Sequence, residues 1–327
     1  MKNYIIFDTS IGSLNVGDQI INNSFYRNMK DIYGAGFVVK YPTHTPTSHF
    51  YQNNKFNRFY RYVKSCNIKF IVGTNILSGN MFEPWPNWNV NIFNCKPYRD
   101  SILVGCGFGS EKDNVNLYTK ILYSKILSKK MVHSVRDERT KRILNKLGYK
   151  AINTGCVTMW GLTKEHCNKI PTKKHKNVIF TLTDYKRDVE SDQFLIDMLN
   201  KNYDKVYYWI QGSGDLEYFK SLKNTEKIIL VNPNLEDYKA ILVEKNVDYV
   251  GTRLHAGVFA MQNFVRSIII IVDNRARDMK ETYNIPAIER NEIREKLQEM
   301  MVSEYETKIN IDEEKIKEWK KQFYEKQ

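Results

Sequence analysis

Short apolar segments that end in polar or glycine-containing loops alternate with helical segments along this chain of 327 residues. In the first half, the segments predicted as strands are 4–9, 68–75, 100–109, 131–137 and 150–156. Apolar residues with helical spacing fall at 17–34, 116–130 and 138–148. Strands that alternate with helices predict parallel sheets covered by helices, because each crossover helix packs back onto a face of the sheet.

A polar, lysine-rich stretch at 163–176, which contains Pro171, interrupts this alternation and indicates a linker between domains. The pattern then restarts, with predicted strands at 177–183, 205–212, 227–233, 247–251 and 267–274. Predicted helices fall between them at 192–204, 216–224 and 234–246. The chain is therefore predicted to be an α/β protein with two Rossmann-like, doubly wound domains.

The predicted domain boundaries follow this pattern. An N-terminal Rossmann-like domain spans 1–165, the linker spans 166–176, and a C-terminal Rossmann-like domain spans 177–309. Ligands of such sheets bind at the carboxyl ends of the strands. We therefore expect those ends of the two domains to face each other across a cleft.

The last segment, 310–327, is predicted to form an amphipathic helix with Ile316, Trp319 and Phe323 on one face and lysines on the rest. Two interpretations are open. The helix docks on a domain, which is the commoner arrangement, or it lies on an anionic membrane that attracts its lysines.

Composition excludes several classes of protein. The chain has 42% hydrophobic and 27% charged residues, which is typical of soluble globular proteins. No segment reaches the ~18 apolar residues that a membrane helix needs, and the N-terminal MKNYIIFDTS is unlike a signal peptide. We therefore expect a cytoplasmic protein.

The five cysteines include no C-x-x-C pair and predict neither a zinc site nor a disulfide framework.

The formal net charge of +13 favours an anionic partner or an anionic membrane surface. Nucleic-acid-binding proteins usually concentrate such charge on one arm or face, whereas here it is spread along the chain and mixed with acids. We therefore expect no nucleic-acid partner.

His44 and His49 lie close together in the sequence, but no third residue that could bind the same metal ion is evident near them. No metal site is therefore predicted.

The segment VGTRLHAGVFAMQ, residues 250–262, joins a buried strand to an apolar helix. Gly251 permits a tight turn and Thr252 is the predicted N-cap, so Arg253 and His255 fall in the first helical turn. Backbone N–H groups and the helix dipole attract anions there. The pattern alone fits an anion site with an acid–base residue, and equally an arginine paired with a carboxylate beside a histidine that caps or packs.

The stretch GTRLHAGVFAMQ, 251–262, resembles the R-L-H-A segment of the polysaccharide pyruvyltransferase family. NVGDQII, 15–21, resembles the family's N-x-G-D segment, and SVRDERTKRILNKLG, 134–148, resembles its S-x-R-D segment. The two-domain layout is also similar to that of the family, which is arranged like B-type glycosyltransferases. The resemblance spans nearly the whole chain.

This resemblance implies transfer of the pyruvyl group of phosphoenolpyruvate to a sugar of a surface polysaccharide, or to its polyprenyl-diphosphate-linked precursor. The product is a cyclic ketal, phosphate is released, and no cofactor is implied. The N-terminal domain is expected to bind the acceptor and the C-terminal domain the donor. The main alternative is a B-type glycosyltransferase that uses a nucleotide sugar, and a second is a non-catalytic anion-binding protein.

Phosphoenolpyruvate carries a carboxylate and a phosphate, and arginine binds both groups bidentately. Arg253 and Arg136 are the first candidates, because each follows or ends a predicted strand. Arg275, directly after the strand at 267–274, is the third candidate. For Arg275 the alternative is a surface salt bridge with Asp273 or Asp278.

His255 is the predicted acid that protonates the methylene carbon of the enol. A helix start favours neutral imidazole, whereas a bound phosphate dianion favours the protonated form. Asp18 is the predicted base. Asp137 has a similar position and is counted with the substrate-binding residues, although Asp at such junctions also starts helices.

Three further residues complete the predicted substrate site: Asn15, Gly17 and Thr252. Two other motifs are predicted to have structural roles and no part in the reaction. GCGFG, 105–109, lacks the spacing of a dinucleotide-binding motif and is predicted to be a tight glycine loop that lines the cleft. EPWPNW, 83–88, places Trp85 and Trp88 in a loop that they are expected to anchor, with sugar stacking as the alternative.

Overall fold

The computed structural model describes residues 2–83 and 87–324. Contacts divide the chain into two compact units. The first comprises the described residues of Met1–Ser13, Ile21–Trp160 and Asp312–Gln327, and the second comprises Leu14–Ile20 and Gly161–Ile311. This grouping differs from the sequence-based boundaries at three places. Residues 14–20 and 161–165 group with the second unit, and the C-terminal helix groups with the first.

The first unit contains a parallel sheet with the strand order β2-β1-β3-β4. Its strands are β1 (Asn3–Asp8), β2 (Phe37–Pro42), β3 (Ile68–Val72) and β4 (Ile102–Val104). A parallel pair, β5 (His133–Val135) and β6 (Ala151–Asn153), follows along the chain. A bridge between Cys106 and Val135 connects the chain after β4 to β5. The order is that of a doubly wound sheet in which the chain reverses direction between β1 and β3.

Helices α1 (Gly17–Asn28), α2 (Lys30–Tyr33), α3 (Arg58–Ser65), α4 (Leu117–Ile126) and α5 (Glu138–Lys146) connect these strands. The core between them is strongly aromatic. Phe7 and Tyr98 are fully buried and stack with their ring centroids 4.0 Å apart. Trp88 is also fully buried and meets Tyr98 edge-on, which confirms that it anchors its loop. Trp85 lies outside the described residues.

The second unit contains a six-stranded parallel sheet with the order β12-β11-β10-β7-β8-β9. Its strands are β7 (Asn177–Thr181), β8 (Lys205–Trp209), β9 (Ile229–Val231), β10 (Val247–Gly251), β11 (Ser267–Ile271) and β12 (Ala287–Glu289). When the strands of this unit are numbered 1 to 6 in chain order, the sheet read from β9 to β12 has the order 3-2-1-4-5-6, which is that of the Rossmann fold. The chain changes direction between β7 and β10, and ligands of such sheets bind beyond the carboxyl ends of those two strands.

The helices of the second unit are α6 (Lys164–Cys167), α7 (Val189–Asn202), α8 (Asp215–Lys220), α9 (Leu235–Glu244), α10 (Leu254–Gln262), α11 (Asn274–Tyr283) and α12 (Ile293–Val302). Helix α10 is buried along almost its whole length. A methyl group added at Gly257 would lie 2.6 Å from Ile269, so glycine lets α10 pack directly on β11. The predicted α/β class and the two Rossmann-like domains are confirmed.

Several elements are absent from the sequence-based prediction: β2, α3, α6, α11, β12 and α12. Strand β2 is partly exposed along its length because it forms the edge of the sheet, so it lacks the continuous apolar run of a buried strand. Helix α11 is rich in charged residues. Helix α6 lies within the stretch predicted to be the linker.

The C-terminal helix α13 (Glu313–Tyr324) buries Ile316, Trp319 and Phe323 within the first unit. The indole N–H of Trp319 donates to the carbonyl of Val132 at 2.7 Å, and Phe323 meets Phe70 edge-on. The C-terminal helix is therefore docked on a domain, as one of the two interpretations predicted. Residues 325–327 of this segment lie outside the described residues. Among residues 2–83 and 87–324, no helix is long and apolar enough to cross a membrane.

His133 in β5 is fully buried and held in its neutral form. Its Nδ1 accepts the backbone N–H of Leu103 at 3.1 Å, which leaves Nε2 to donate to the carbonyl of Ser128 at 2.8 Å. Burial lowers the pKa of His133 to about 4 from its ordinary 6.5. Between these two values the unfolded chain binds a proton that the folded chain does not bind.

We therefore predict that the free energy of unfolding falls as the pH is lowered from 6.5 towards 4 and that this contribution is constant below that range. A shift of this size corresponds to about 3 kcal/mol. Urea denaturation of the wild type and His133→Asn across this pH range measures it, and the variant should show a shallower pH dependence. Equal slopes in the two proteins would rule out His133 as the source.

Candidate functional site

A buried ion pair lies beyond the carboxyl ends of the central strands of the second unit. Arg253 follows β10 and is only 4% exposed. Its Nη2 donates to the carboxylates of Asp184, at 2.9 Å, and of Asp215. Its Nε donates to the carbonyl of Leu182 at 3.0 Å. Arg253 thus connects the loops that follow β7, β8 and β10.

Asp215 is completely buried and receives hydrogen bonds from three directions. Besides the guanidinium of Arg253, it accepts the backbone N–H groups of Gly212, at 2.7 Å, and Asp184, at 3.3 Å. Burial raises the pKa of Asp215, and the charge of Arg253 and these hydrogen bonds oppose that rise. A Cβ at Gly212 would lie 2.4 Å from Nη2 of Arg253, so only glycine leaves room for the guanidinium there.

Tyr185 connects a second arginine to this ion pair. Its hydroxyl accepts a hydrogen bond from Nη2 of Arg275 at 2.7 Å, and the guanidinium carbon of Arg253 lies 5.1 Å from its ring centroid. Arg275 also forms a salt bridge with Asp273, to which its Nε donates at 2.9 Å. This is the salt bridge expected from the sequence as the alternative for Arg275. Burial acts to lower the pKa of Arg275, but Tyr185 and Asp273 outweigh it and raise the pKa. Both arginines are therefore charged and held in fixed positions.

The N-x-G-D segment joins the loop after β8. Asn15 forms an antiparallel bridge with Gly212, and the N–H of Val16 donates to the carbonyl of Gln211 at 2.9 Å. The side-chain oxygen of Asn15 accepts from Nε2 of Gln211, at 2.8 Å, and from the N–H of Gly17, at 2.9 Å. A Cβ at Gly17 would lie 2.7 Å from Nε2 of Gln211. This explains both the glycine and the grouping of 14–20 with the second unit.

Asp18 is buried at the start of α1, directly after this bridge. It belongs to the second unit, as do Arg253 and His255. The structure therefore places the predicted acid and base within the same unit. Their chemical roles stay predictions.

The start of α10 differs from the prediction in one respect. The residue that precedes the helix is Arg253, with an extended backbone, so the prediction that Thr252 is the N-cap is wrong. The hydroxyl of Thr252 instead shares a hydrogen bond of 2.8 Å with the hydroxyl of Thr183 and fixes the loops after β7 and β10 to each other. His255 lies in the first turn and is half-buried.

Arg136 and Asp137 belong to the first unit. Asp137 caps α5 by accepting the N–H of Thr140 at 2.6 Å, and the Nε of Arg136 lies 3.4 Å from its carboxylate. A Cβ at Gly107 would lie 2.4 Å from Nε of Arg136, so the glycine loop 105–109 gives the arginine its space. The structure confirms that Asp137 starts a helix. Contact of Arg136 or Asp137 with the substrate stays a prediction.

Sequence reasoning did not identify four residues of the second-unit site: Asp184, Tyr185, Gln211 and Asp215. Asp184 and Tyr185 directly follow the predicted strand 177–183, Gln211 lies at the end of the predicted strand 205–212, and Asp215 lies three residues after it. This position at or just after a strand end was the available signal. Across residues 2–83 and 87–324, no group of three or more His, Cys, Asp or Glu side chains is arranged to hold a metal ion.

A family model described as "Polysaccharide pyruvyl transferase" matches residues 15–274. The chain belongs to this family. The match includes the three segments on which the resemblance rested, and it includes Arg253 and His255. No curated protein sequence matches the chain.

One solved structure with a similar fold is the UDP-GlcNAc 2-epimerase of Methanocaldococcus jannaschii in complex with UDP-GlcNAc and UDP. The TM-score is 0.52 at 11% sequence identity, and the superposition covers 99% of this chain and 100% of the epimerase. At this identity the similarity concerns the fold alone. It agrees with two Rossmann-like domains of the kind found in B-type glycosyltransferases.

The central position of Arg253 generates a prediction about stability. Arg253→Met leaves the buried Asp215 without its counter-charge, so the free energy of unfolding should fall by about 3–5 kcal/mol. Arg277→Met is the matched control, because Arg277 pairs with Glu289 near the surface of the same unit and such pairs contribute about 0–1 kcal/mol.

Chemical denaturation measures both variants. Adding Asp215→Asn to Arg253→Met should restore part of the loss, since it removes the uncompensated charge. A loss for Arg253→Met that is no larger than that for Arg277→Met would contradict the structural role given to this ion pair.

Proposed function

We propose that the protein transfers the pyruvyl group of phosphoenolpyruvate to a sugar, forms a cyclic ketal and releases phosphate. Membership of the pyruvyl transferase family supports the class of reaction. The observation that supports this site most strongly is the position of His255, in the first turn of a buried helix beyond the carboxyl end of β10. This is the point in the sheet order where Rossmann-like domains bind their ligands.

The charges around His255 suit an enol phosphate in the proposed site. The first turn of α10 offers backbone N–H groups and the positive end of the helix dipole to a phosphate. Arg275 has a side chain that is 30% exposed, so it is the better placed of the two arginines for direct contact with the donor. Arg253 orients the loops, and its own charge is balanced by the carboxylates of Asp184 and Asp215.

In the proposed reaction, protonated His255 gives its proton to the methylene carbon, which becomes the methyl group of the product. The adjacent carbon becomes electrophilic and is attacked by one sugar hydroxyl. Phosphate leaves with the electrons of its C–O bond, and a second hydroxyl of the same sugar then closes the ketal ring. Of the two protons that the hydroxyls release, one restores protonated His255 and the other leaves with the phosphate. A bound phosphate dianion favours the protonated imidazole that the first step needs.

Asp18 is the proposed base for the attacking hydroxyl, because it is a buried carboxylate at the junction that holds Asn15 and Gln211 together. The acceptor is proposed to be a sugar of a surface polysaccharide or of its polyprenyl-diphosphate-linked precursor. A cytoplasmic protein with a net charge of +13 would meet such a lipid at the anionic inner face of the membrane. No cofactor takes part in the proposed reaction.

The donor distinguishes this proposal from a B-type glycosyltransferase. The purified protein would be given phosphoenolpyruvate or a set of nucleotide sugars, each with a panel of free and lipid-linked saccharides. Phosphate release from phosphoenolpyruvate that depends on an acceptor is the expected result. Nucleotide release from a nucleotide sugar, with no phosphate release from phosphoenolpyruvate, would favour the glycosyltransferase.

His255→Ala should abolish ketal formation and leave the binding of phosphoenolpyruvate largely intact, because the variant removes the proton donor and keeps the arginines. Isothermal titration measures donor binding, and mass spectrometry of the acceptor measures the ketal. His49→Ala, a change on the first unit, is the control and should behave as the wild type. Near-normal turnover of His255→Ala would exclude it as the acid.

A further inference from the structure

A cavity of the first unit has a volume of about 730 Å³. Two loops line it, from Asn75, three residues after the end of β3, and from Gly109, five residues after the end of β4. It thus lies beyond the carboxyl ends of two neighbouring parallel strands, where doubly wound sheets bind their ligands. A volume of this size falls within the range of small-molecule sites.

Side-chain amides dominate the polar lining of this cavity. Its five asparagines are Asn75, Asn80, Asn87, Asn114 and Asn116. An amide both donates and accepts hydrogen bonds, and it therefore matches the alternating donor and acceptor roles of sugar hydroxyls. Within the described part of the chain, the buried side-chain oxygen of Asn75 has no hydrogen-bond partner.

The walls are fixed by hydrogen bonds of their own. Nδ2 of Asn116 donates to Asn80 at 2.7 Å, and Nδ2 of Asn87 donates to the carbonyl of Asn75 at 3.1 Å. The hydroxyls of Ser78 and Ser110, both in the lining, lie 2.9 Å apart. Groups held in this way lose little conformational entropy when a ligand binds.

The charge of the cavity argues against an anionic ligand. Its charged lining residues are Glu83, Glu111 and Lys112, which sum to a net charge of −1, in a chain whose formal net charge is +13. The lining offers one lysine and no arginine to a phosphate or diphosphate, whereas an uncharged polyol needs no counter-charge. The lining also includes the apolar side chains of Met81 and Val115, which offer a surface to the C–H groups of a sugar.

From these observations we propose that the cavity is a binding site for an uncharged sugar unit. Its assignment as the acceptor site rests on the proposed function, whereas sugar binding itself does not. The glycine loop 105–109 and the segment 75–83 would then serve recognition of the saccharide, while the donor binds elsewhere.

Asn114→Trp is the test variant, because the side chain of Asn114 is exposed in the lining and makes no hydrogen bond within the described residues. The indole would occupy part of the cavity without removing a structural contact. Asn200→Trp, the same change at an exposed position of α7 in the second unit, is the control for the new indole, although it also removes a surface hydrogen bond from Asn200 to the carbonyl of Asn224.

Saturation-transfer NMR of the wild-type protein with a panel of neutral and anionic mono- and disaccharides would identify a ligand. At least one neutral saccharide should bind at millimolar concentration, with an affinity weakened at least about tenfold in Asn114→Trp and unchanged in Asn200→Trp. Thermal denaturation would check that both variants are folded. Binding of phosphoenolpyruvate, measured separately, should be the same in all three proteins.

Two results would overturn the proposal: no neutral saccharide binds the wild type, or folded Asn114→Trp binds it as well as Asn200→Trp does. Saccharide binding that is lost in Asn114→Trp, with no transfer from phosphoenolpyruvate, would leave the sugar site standing. In that case only the proposed reaction, and with it the acceptor assignment, would fail.

Discussion

The contact between Arg253 and the fully buried Asp215 determines how the second unit presents its loops. Three strands of one sheet end near this pair, and the loops that follow them differ in sequence and length. A buried guanidinium has few ways to satisfy its charge and its donors, so it fixes those loops in one arrangement. Gly212 and Gly17 are then required because backbone and side chains approach too closely for a Cβ.

A buried ion pair costs desolvation energy, and an apolar replacement of similar volume is often at least as stable. The pair in this protein lies at the ligand-binding edge of a Rossmann-like sheet. Its retention there is understandable if the charge and the loop geometry serve a ligand. Tyr185 extends the arrangement to Arg275, so that a second cation is held at a defined distance from the first.

Much of the fold could be predicted from the sequence, because buried strands and amphipathic helices have distinct periodicities. The edge strand β2 and the charged helix α11 were missed since neither buries a continuous apolar run. The C-terminal helix was predicted, but its partner in the first unit was not, because no local pattern specifies which surface a helix packs against.

Only part of the candidate site was predicted, because sequence patterns identify local segments and do not show which loops meet in the fold. Arg253, His255 and Asn15 lie in recognisable segments, whereas Asp184 and Asp215 are identified only once the loops after β7 and β8 are brought together. The capping role of Thr252 was predicted from local preference alone. It failed because a partner 69 residues away, Thr183, takes its hydroxyl.

We propose that phosphoenolpyruvate binds at the start of α10, beyond the carboxyl ends of β7 and β10. A crystal structure of the wild-type protein with bound phosphoenolpyruvate is the decisive measurement. We expect the phosphate to lie within hydrogen-bond distance of the first turn of α10 and of Arg275, with the methylene carbon facing His255. Phosphoenolpyruvate bound away from residues 252–255 would show that the donor site lies elsewhere in the protein.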